Sequence, residues 1–146
     1  MNPNTYELIV IGSSAGALDA LSELLPFFPA NYPLPIVVVQ HLHPLQDVYF
    51  IKHYAQKCAL PVKNAEEKEP IKPGVVYFAS PNYHLLIEDD RTFSLSVDEK
   101  VNFSTPSTDV LFESAVDVYA QKIIGVILTG ANQDGAHEFS LAPLRR

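Results

Sequence analysis

The sequence is poor in cysteine and in basic residues, and it has no long apolar run. Its single cysteine, Cys58, cannot form a disulfide within the chain, which suits a reducing compartment. Ten Lys and Arg face seventeen Asp and Glu, and the formal net charge of −7 argues against nucleic acid or an anionic membrane as a partner. Apolar runs such as residues 34–40 are far shorter than the roughly 20 residues that span a bilayer. Residues 1–8 lack the pattern of a signal peptide, so we expect a cytoplasmic protein.

The chain has 146 residues, of which 47% are apolar, and this is enough for the core of one domain. Short apolar runs typical of buried strands alternate with segments of helical periodicity. We predict strands at 6–11, 36–40, 61–65, 74–79, 83–88, 91–97 and 123–128, and helices from residue 18 onward, at 48–59 and at 107–120. This order predicts an α/β fold, a doubly wound, mostly parallel sheet with one antiparallel hairpin over residues 83–97.

The first predicted strand runs into a turn with the pattern G-x-S-x-G, formed by residues 12–16. Between a buried strand and an amphipathic helix, this pattern exposes the middle serine, Ser14, as a candidate nucleophile. The backbone N–H of Ala15 is then a candidate donor to an oxyanion. A plain turn of small residues, or a turn that binds phosphate at a helix amino terminus, is the alternative at this point. We expect the neighbouring Ser13 hydroxyl to matter little, because its side chain points elsewhere.

Two further candidate residues follow predicted buried strands. His41 comes directly after the strand at 36–40, and Asp134 comes shortly after the strand at 123–128. The carboxyl ends of parallel strands meet at one edge of a sheet, so we expect both residues to lie near Ser14. Serine, histidine and aspartate together can form a catalytic triad in any chain order. A loop histidine and a turn-forming aspartate are the alternatives.

Other chemistries match the sequence poorly. His41 and His43 look like a pair of metal ligands, but no third ligand completes a set, so we expect no metal. A dinucleotide-binding fingerprint would need glycine where Ser14 and Ala17 stand. Cys58 falls inside a predicted helix without a basic partner, which favours a packing role. We therefore expect no cofactor.

Several dispersed motifs carry a specific resemblance. They are IGSSAG, VVVQHLHP, EEKEPIKPGVVYFASPNYHL, NFSTPSTDVLFESAV and GVILTGANQDGA. Together they resemble the catalytic domain of the chemotaxis protein-glutamate methylesterase, the CheB family, from the first strand to Gly135. The resemblance implies that Ser14, His41 and Asp134 are the catalytic triad. The sequence departs from the family pattern at Ala15, where family members often have a threonine.

The resemblance also implies a reaction and its partners. The family hydrolyses glutamate methyl esters on the cytoplasmic helices of chemoreceptors and deamidates some glutamines, without a cofactor. The chemotaxis methyltransferase and the signalling histidine kinase are further candidate partners. Two other interpretations stay open: a serine hydrolase that acts on another ester, and an inactive module of the same fold that binds signalling partners.

We expect residues 1–146 to form one catalytic domain, without the receiver domain of the family and without its closing strand and helices. We therefore expect the strand at 123–128 to keep an unpaired edge and an uncovered face, which destabilises a domain. On this interpretation the 146-residue chain is marginally stable, and weak or inactive as an esterase.

Overall fold

The computed structural model describes residues 5–40, 47–97, 107–130 and 137–143. The strands are β1 (Leu8–Ser13), β2 (Ile36–Gln40), β3 (Val62–Asn64), β4 (Val76–Phe78), β5 (His84–Ile87), β6 (Phe93–Ser96), β7 (Ile123–Gly130) and β8 (His137–Pro143). The helices are α1 (Leu18–Leu24), α2 (Asp47–Lys57) and α3 (Thr108–Tyr119), and Ala15–Ala17 and Leu25–Phe27 form 3₁₀ turns. No helix in these ranges is long and apolar enough to cross a membrane.

The strands of the described ranges form a six-stranded sheet in the order β3-β4-β2-β1-β7-β8 and a separate antiparallel pair, β5-β6. The first five strands of the sheet run parallel, and β8 runs antiparallel to β7. All residues of β1 and β2 are buried, as expected of apolar, β-branched runs covered on both faces. The predicted doubly wound sheet and the predicted hairpin are therefore confirmed.

Side chains of β1 alternate between two cores, because successive strand residues point to opposite faces. Ile9 and Ile11 belong to the core under α1 and α2, with Leu21 and Tyr54. The opposite core contains Leu8 and Val10 of β1, side chains of α3 and side chains of the β5-β6 hairpin. The helix that follows β1 and the helix that precedes β7 thus cover different faces. In such sheets, ligands bind at the carboxyl ends of the strands where this change of side occurs.

β1 lies two residues further along the chain than the sequence predicts, because its pairing continues through two small residues. Gly12 and Ser13 pair with Val39 and Gln40 of β2, and Ser13 also lies opposite Leu128 of β7. Pairing on both sides outweighs the weak strand preference of glycine and serine. The strand therefore ends directly before Ser14.

The outer edge of β7 is paired, so the expectation of an unpaired edge was wrong. β8 lies antiparallel to β7 from Ile124 opposite Pro143 to Gly130 opposite His137. An open strand edge leaves backbone N–H and C=O groups without partners, and a following segment that folds back satisfies them. On β7 itself the Ile127 side chain is 36% exposed.

A single serine on α3 ties that helix to the hairpin. The Ser114 hydroxyl accepts a hydrogen bond from the Ile87 N–H at 2.9 Å and donates one to the Leu111 carbonyl at 2.9 Å. We predict that Ser114→Ala lowers the free energy of unfolding by about 1–2 kcal/mol, because the Ile87 N–H loses its partner. Urea unfolding measures the change. Glu113→Ala, at the exposed neighbouring position, should change the free energy of unfolding by less than about 0.5 kcal/mol. Equal losses in both variants would contradict the role of the hydrogen bond between Ser114 and Ile87.

Candidate active site

Ser14 lies directly after β1 and is held by its backbone on both sides. Its N–H donates to the Leu128 carbonyl of β7 at 3.2 Å, and its carbonyl accepts from the Ala17 N–H at 3.0 Å. Its backbone is extended, with φ −75° and ψ 164°, and the 3₁₀ turn Ala15–Ala17 begins at the next residue. The chain therefore changes from strand to helix at Ser14, as the G-x-S-x-G pattern predicts.

The Ser14 side chain is half-buried, and within the described part of the chain it makes no capping hydrogen bond to the turn that follows. The N–H groups of Ala15 and Gly16 begin this turn, and the first N–H groups of a helix have no partner within it. Such groups attract negative charge. A hydroxyl and N–H donors at one strand end can act as a nucleophile and a site for an oxyanion.

Gly12, two residues before Ser14, allows α3 to approach β1 closely. A Cβ atom at this position would lie 2.5 Å from Cγ2 of Thr108 and 3.3 Å from Cδ1 of Ile127. Contacts below 3.0 Å force a neighbour to move, and Thr108 begins α3. The glycine is therefore required by space, and it brings the amino end of α3 close to β1 just before Ser14.

His41 and Asp134, predicted to complete the site, lie outside the described residues, as does His43. The strands that lead to His41 and Asp134 are described. β2 ends at Gln40, opposite Ser13, and β7 runs past Leu128 to Gly130. The structure thus brings together Ser14 and the strand ends that precede the other two candidates.

A buried polar group of three residues lies beneath Ser14, and the sequence did not predict it. The Tyr54 hydroxyl of α2 donates to Oε1 of Gln40 at 3.2 Å, and Nε2 of Gln40 donates to Oγ of Ser13 at 3.5 Å. The one signal in the sequence is that Gln40 is a polar residue at the end of an apolar strand. We call Tyr54, Gln40 and Ser13 the buried polar chain.

Cys58 follows α2 and is half-buried. Burial raises the pKa of its thiol above the ordinary value. Because the thiolate is the reactive form, a raised pKa makes this cysteine a weaker nucleophile at neutral pH. This agrees with the packing role that the sequence favours.

His84 contacts the beginning of α3 and is not part of the site around Ser14. It is buried in β5, and its Nδ1 accepts a hydrogen bond from the backbone N–H of Ser107 at 3.1 Å. Ser107 is the N-cap of α3, with its hydroxyl accepting from the Val110 N–H. In the described ranges, no three His, Cys, Asp or Glu side chains are grouped so that they could hold a metal ion.

The chain is similar to known proteins over most of its length. A family model described as CheB methylesterase matches residues 9–141. A Leptospira interrogans protein named "Putative protein-glutamate methylesterase/protein-glutamine glutaminase" is 56% identical over 131 residues, which are 90% of this chain and 68% of that protein. The Thermotoga maritima protein-glutamate methylesterase/protein-glutamine glutaminase is 38% identical over 132 residues, or 88% of this chain and 38% of that protein.

A solved structure shows the same fold. The crystal structure of the Thermotoga maritima CheB methylesterase catalytic domain matches with a TM-score of 0.81 and 37% sequence identity. The match covers 90% of this chain and 71% of that one. The chain thus spans about two thirds of the Leptospira relative and little more than a third of the full-length Thermotoga relative.

We predict that Gly12→Ala destabilises the fold by about 1–3 kcal/mol, because the new methyl group collides with Thr108. Thr108→Ser removes the methyl group at the closest approach, so the double variant Gly12→Ala/Thr108→Ser should recover part of the loss. Chemical unfolding of the parent, both single variants and the double variant measures this. A Gly12→Ala variant as stable as the parent would show that α3 does not pack as described.

We predict that iodoacetamide modifies Cys58 of the folded chain more slowly than a free cysteine at pH 8. The raised pKa leaves less thiolate at that pH, and the rate should keep rising as the pH passes the ordinary thiol value. Mass spectrometry of timed samples gives the rate, and the urea-unfolded chain is the control. Equal rates in the folded and unfolded chains would contradict the effect of burial.

Proposed function

The chain belongs to the CheB methylesterase family, and from this premise we propose that it hydrolyses glutamate methyl esters on the cytoplasmic helices of chemoreceptors. The relatives are named for glutaminase activity as well, which supports deamidation of glutamine side chains as a second reaction. Both reactions replace the leaving group on the same side-chain carbonyl carbon, so one nucleophile serves for both. The reaction then takes place in the cytoplasm, with the chemotaxis methyltransferase and histidine kinase as candidate partners.

The observation that carries this proposal is the position of Ser14. It follows the central strand β1, where the connections diverge to opposite faces of the sheet, and the first N–H groups of a helical turn come directly after it. The strand that ends directly before His41 and the strand that precedes Asp134 flank β1 on its two sides. An ester carbonyl placed at this edge has a hydroxyl and N–H donors within one turn of the chain.

In the proposed mechanism, His41 takes the proton of the Ser14 hydroxyl as Oγ attacks the ester carbonyl carbon. Asp134 orients the imidazole and stabilises its protonated form. The Ala15 N–H helps to hold the oxyanion, a contribution of roughly 3–4 kcal/mol per donor where it has been tested. His41 then protonates the departing methoxide to methanol, and water hydrolyses the acyl-enzyme to free serine and glutamate. These groups and water are sufficient, without a cofactor.

We predict that Ser14→Ala, His41→Ala and Asp134→Ala each lower methanol release from a methyl-esterified receptor fragment by about 10³-fold or more. Triad residues act as a unit, so double variants should be no slower than the slowest single variant. Gas chromatography of released methanol is the measurement. Ser94→Ala is the control, because the Ser94 hydroxyl donates to the exposed Glu88 carboxylate on the hairpin and is not part of the candidate site.

The same assay separates the other interpretations. Hydrolysis of an activated ester without methanol release from the receptor fragment would indicate a hydrolase with another substrate. No turnover of either substrate, with cooperative unfolding intact, would indicate an inactive binding module. Losses that multiply in the double variants would contradict the triad.

A further inference from the structure

The buried polar chain joins three elements beneath the nucleophile. Gln40 is 3% exposed, Ser13 2% and Tyr54 0%, and they come from β2, β1 and α2. Burying polar groups between apolar layers costs free energy unless they are hydrogen-bonded to one another. Apolar side chains would fill these positions without that cost. Their joint presence therefore calls for a function that apolar residues cannot supply.

The hydrogen bonds of the buried polar chain run in one direction. Tyr54 donates to Oε1 of Gln40, which leaves Nε2 of the same amide to donate to Ser13. The Ser13 hydroxyl then donates its own proton to the carbonyl of Ser14, at 3.4 Å. Burial raises the pKa of Tyr54 above its ordinary value and outweighs a hydrogen bond with Ser22 that lowers it, so the hydroxyl keeps its proton at neutral pH.

The buried polar chain ends at the peptide group that joins Ser14 to Ala15. The Ser14 carbonyl accepts from Oγ of Ser13 and from the Ala17 N–H, so it is held by two donors. A trans peptide is planar, and its N–H points away from its C=O. Holding the Ser14 carbonyl therefore also sets the direction of the Ala15 N–H.

We propose that the buried polar chain positions the oxyanion donor. Gln40, with Tyr54 and Ser13, keeps the Ser14–Ala15 peptide in the one orientation that aims the Ala15 N–H at the substrate carbonyl oxygen. These three are positioning residues, since their side chains are buried and act through the Ser14–Ala15 peptide. The inference rests on the proposed esterase function, and it revises the expectation that the Ser13 hydroxyl matters little.

The first test is the kinetics of ester hydrolysis by Ser13→Ala, Gln40→Met and Tyr54→Phe. A badly aimed donor stabilises the transition state less but leaves substrate binding intact, so kcat should fall with KM within about twofold. We expect about a tenfold fall for Ser13→Ala and Gln40→Met, below the 10²–10³-fold cost of losing a whole donor. Tyr54→Phe should lower kcat by less than these two substitutions. Adding Tyr54→Phe to Gln40→Met should lower kcat no further.

Two substitutions on α2 are matched controls. Gln56→Met and Tyr49→Phe make the same chemical changes at exposed positions of that helix, and both should keep the parent kcat. Thermal unfolding of every variant shows whether it is folded at the assay temperature. If Gln40→Met does not fold, Ser13→Ala and Tyr54→Phe carry the test.

The second test is the pH dependence of kcat for the Gln40→Glu variant. A protonated carboxyl can accept from Tyr54 and donate to Ser13 as the amide does, whereas a carboxylate can only accept. The ratio of variant to parent kcat should therefore rise towards one as the pH falls. Asp19 and Cys58, which act electrostatically on Tyr54, and His41, next in the chain, are present in both proteins, so the ratio reports the change at position 40 together with its coupling to these groups.

The outcomes separate this inference from the proposed function. An active parent whose Ser13→Ala and Gln40→Met variants keep the parent kcat would overturn the positioning role alone. A Gln40→Glu ratio that does not change with pH would do the same. A folded parent without any Ser14-dependent turnover would overturn the proposed function and this role with it.

Discussion

The parallel pairing of β1 between β2 and β7 is the constraint on which the candidate site depends. It aligns Ser13, Gln40 and Leu128 across the sheet, so that the three strands approach the same edge together. The N–H of Ser14 still pairs with Leu128, which ties the nucleophile turn to this alignment. A shift by one residue would exchange the two faces of β1 and remove Ser13 from Gln40.

The same pairing explains why residues with weak strand preference lie in the centre of the sheet. At Gly12 the lack of a side chain allows close approach of Thr108 and hence of α3. At Ser13 a small polar side chain reaches Gln40 across the two strands. Larger apolar residues would bury more surface but would separate α3 from β1 or break the contact with Gln40. Small residues at these two positions therefore keep the close approach of α3 and the contact with Gln40.

Two hydrogen bonds between α3 and the hairpin also help to position the strand end before Ser14. His84 accepts from the Ser107 backbone at the beginning of α3, and Ser114 accepts from Ile87 further along the helix. Both contacts join α3 to the hairpin, so the two form one packed layer on that face of the sheet. Because α3 also touches Gly12 through Thr108, this layer helps to hold the strand end before Ser14.

The sequence by itself determined the class of fold, the hairpin and the turn that carries Ser14. Continuous apolar runs, helical periodicity and the G-x-S-x-G pattern are local signals, and each can be recognised within a few residues. The tertiary structure alone decided that β1 ends at Ser13, that β8 pairs with β7, and that Ser13, Gln40 and Tyr54 meet. Gln40 lies 27 residues from Ser13 and 14 from Tyr54, and no local pattern links positions so far apart. Contacts of this kind depend on strand register and helix packing, which exist only when the whole sheet has formed.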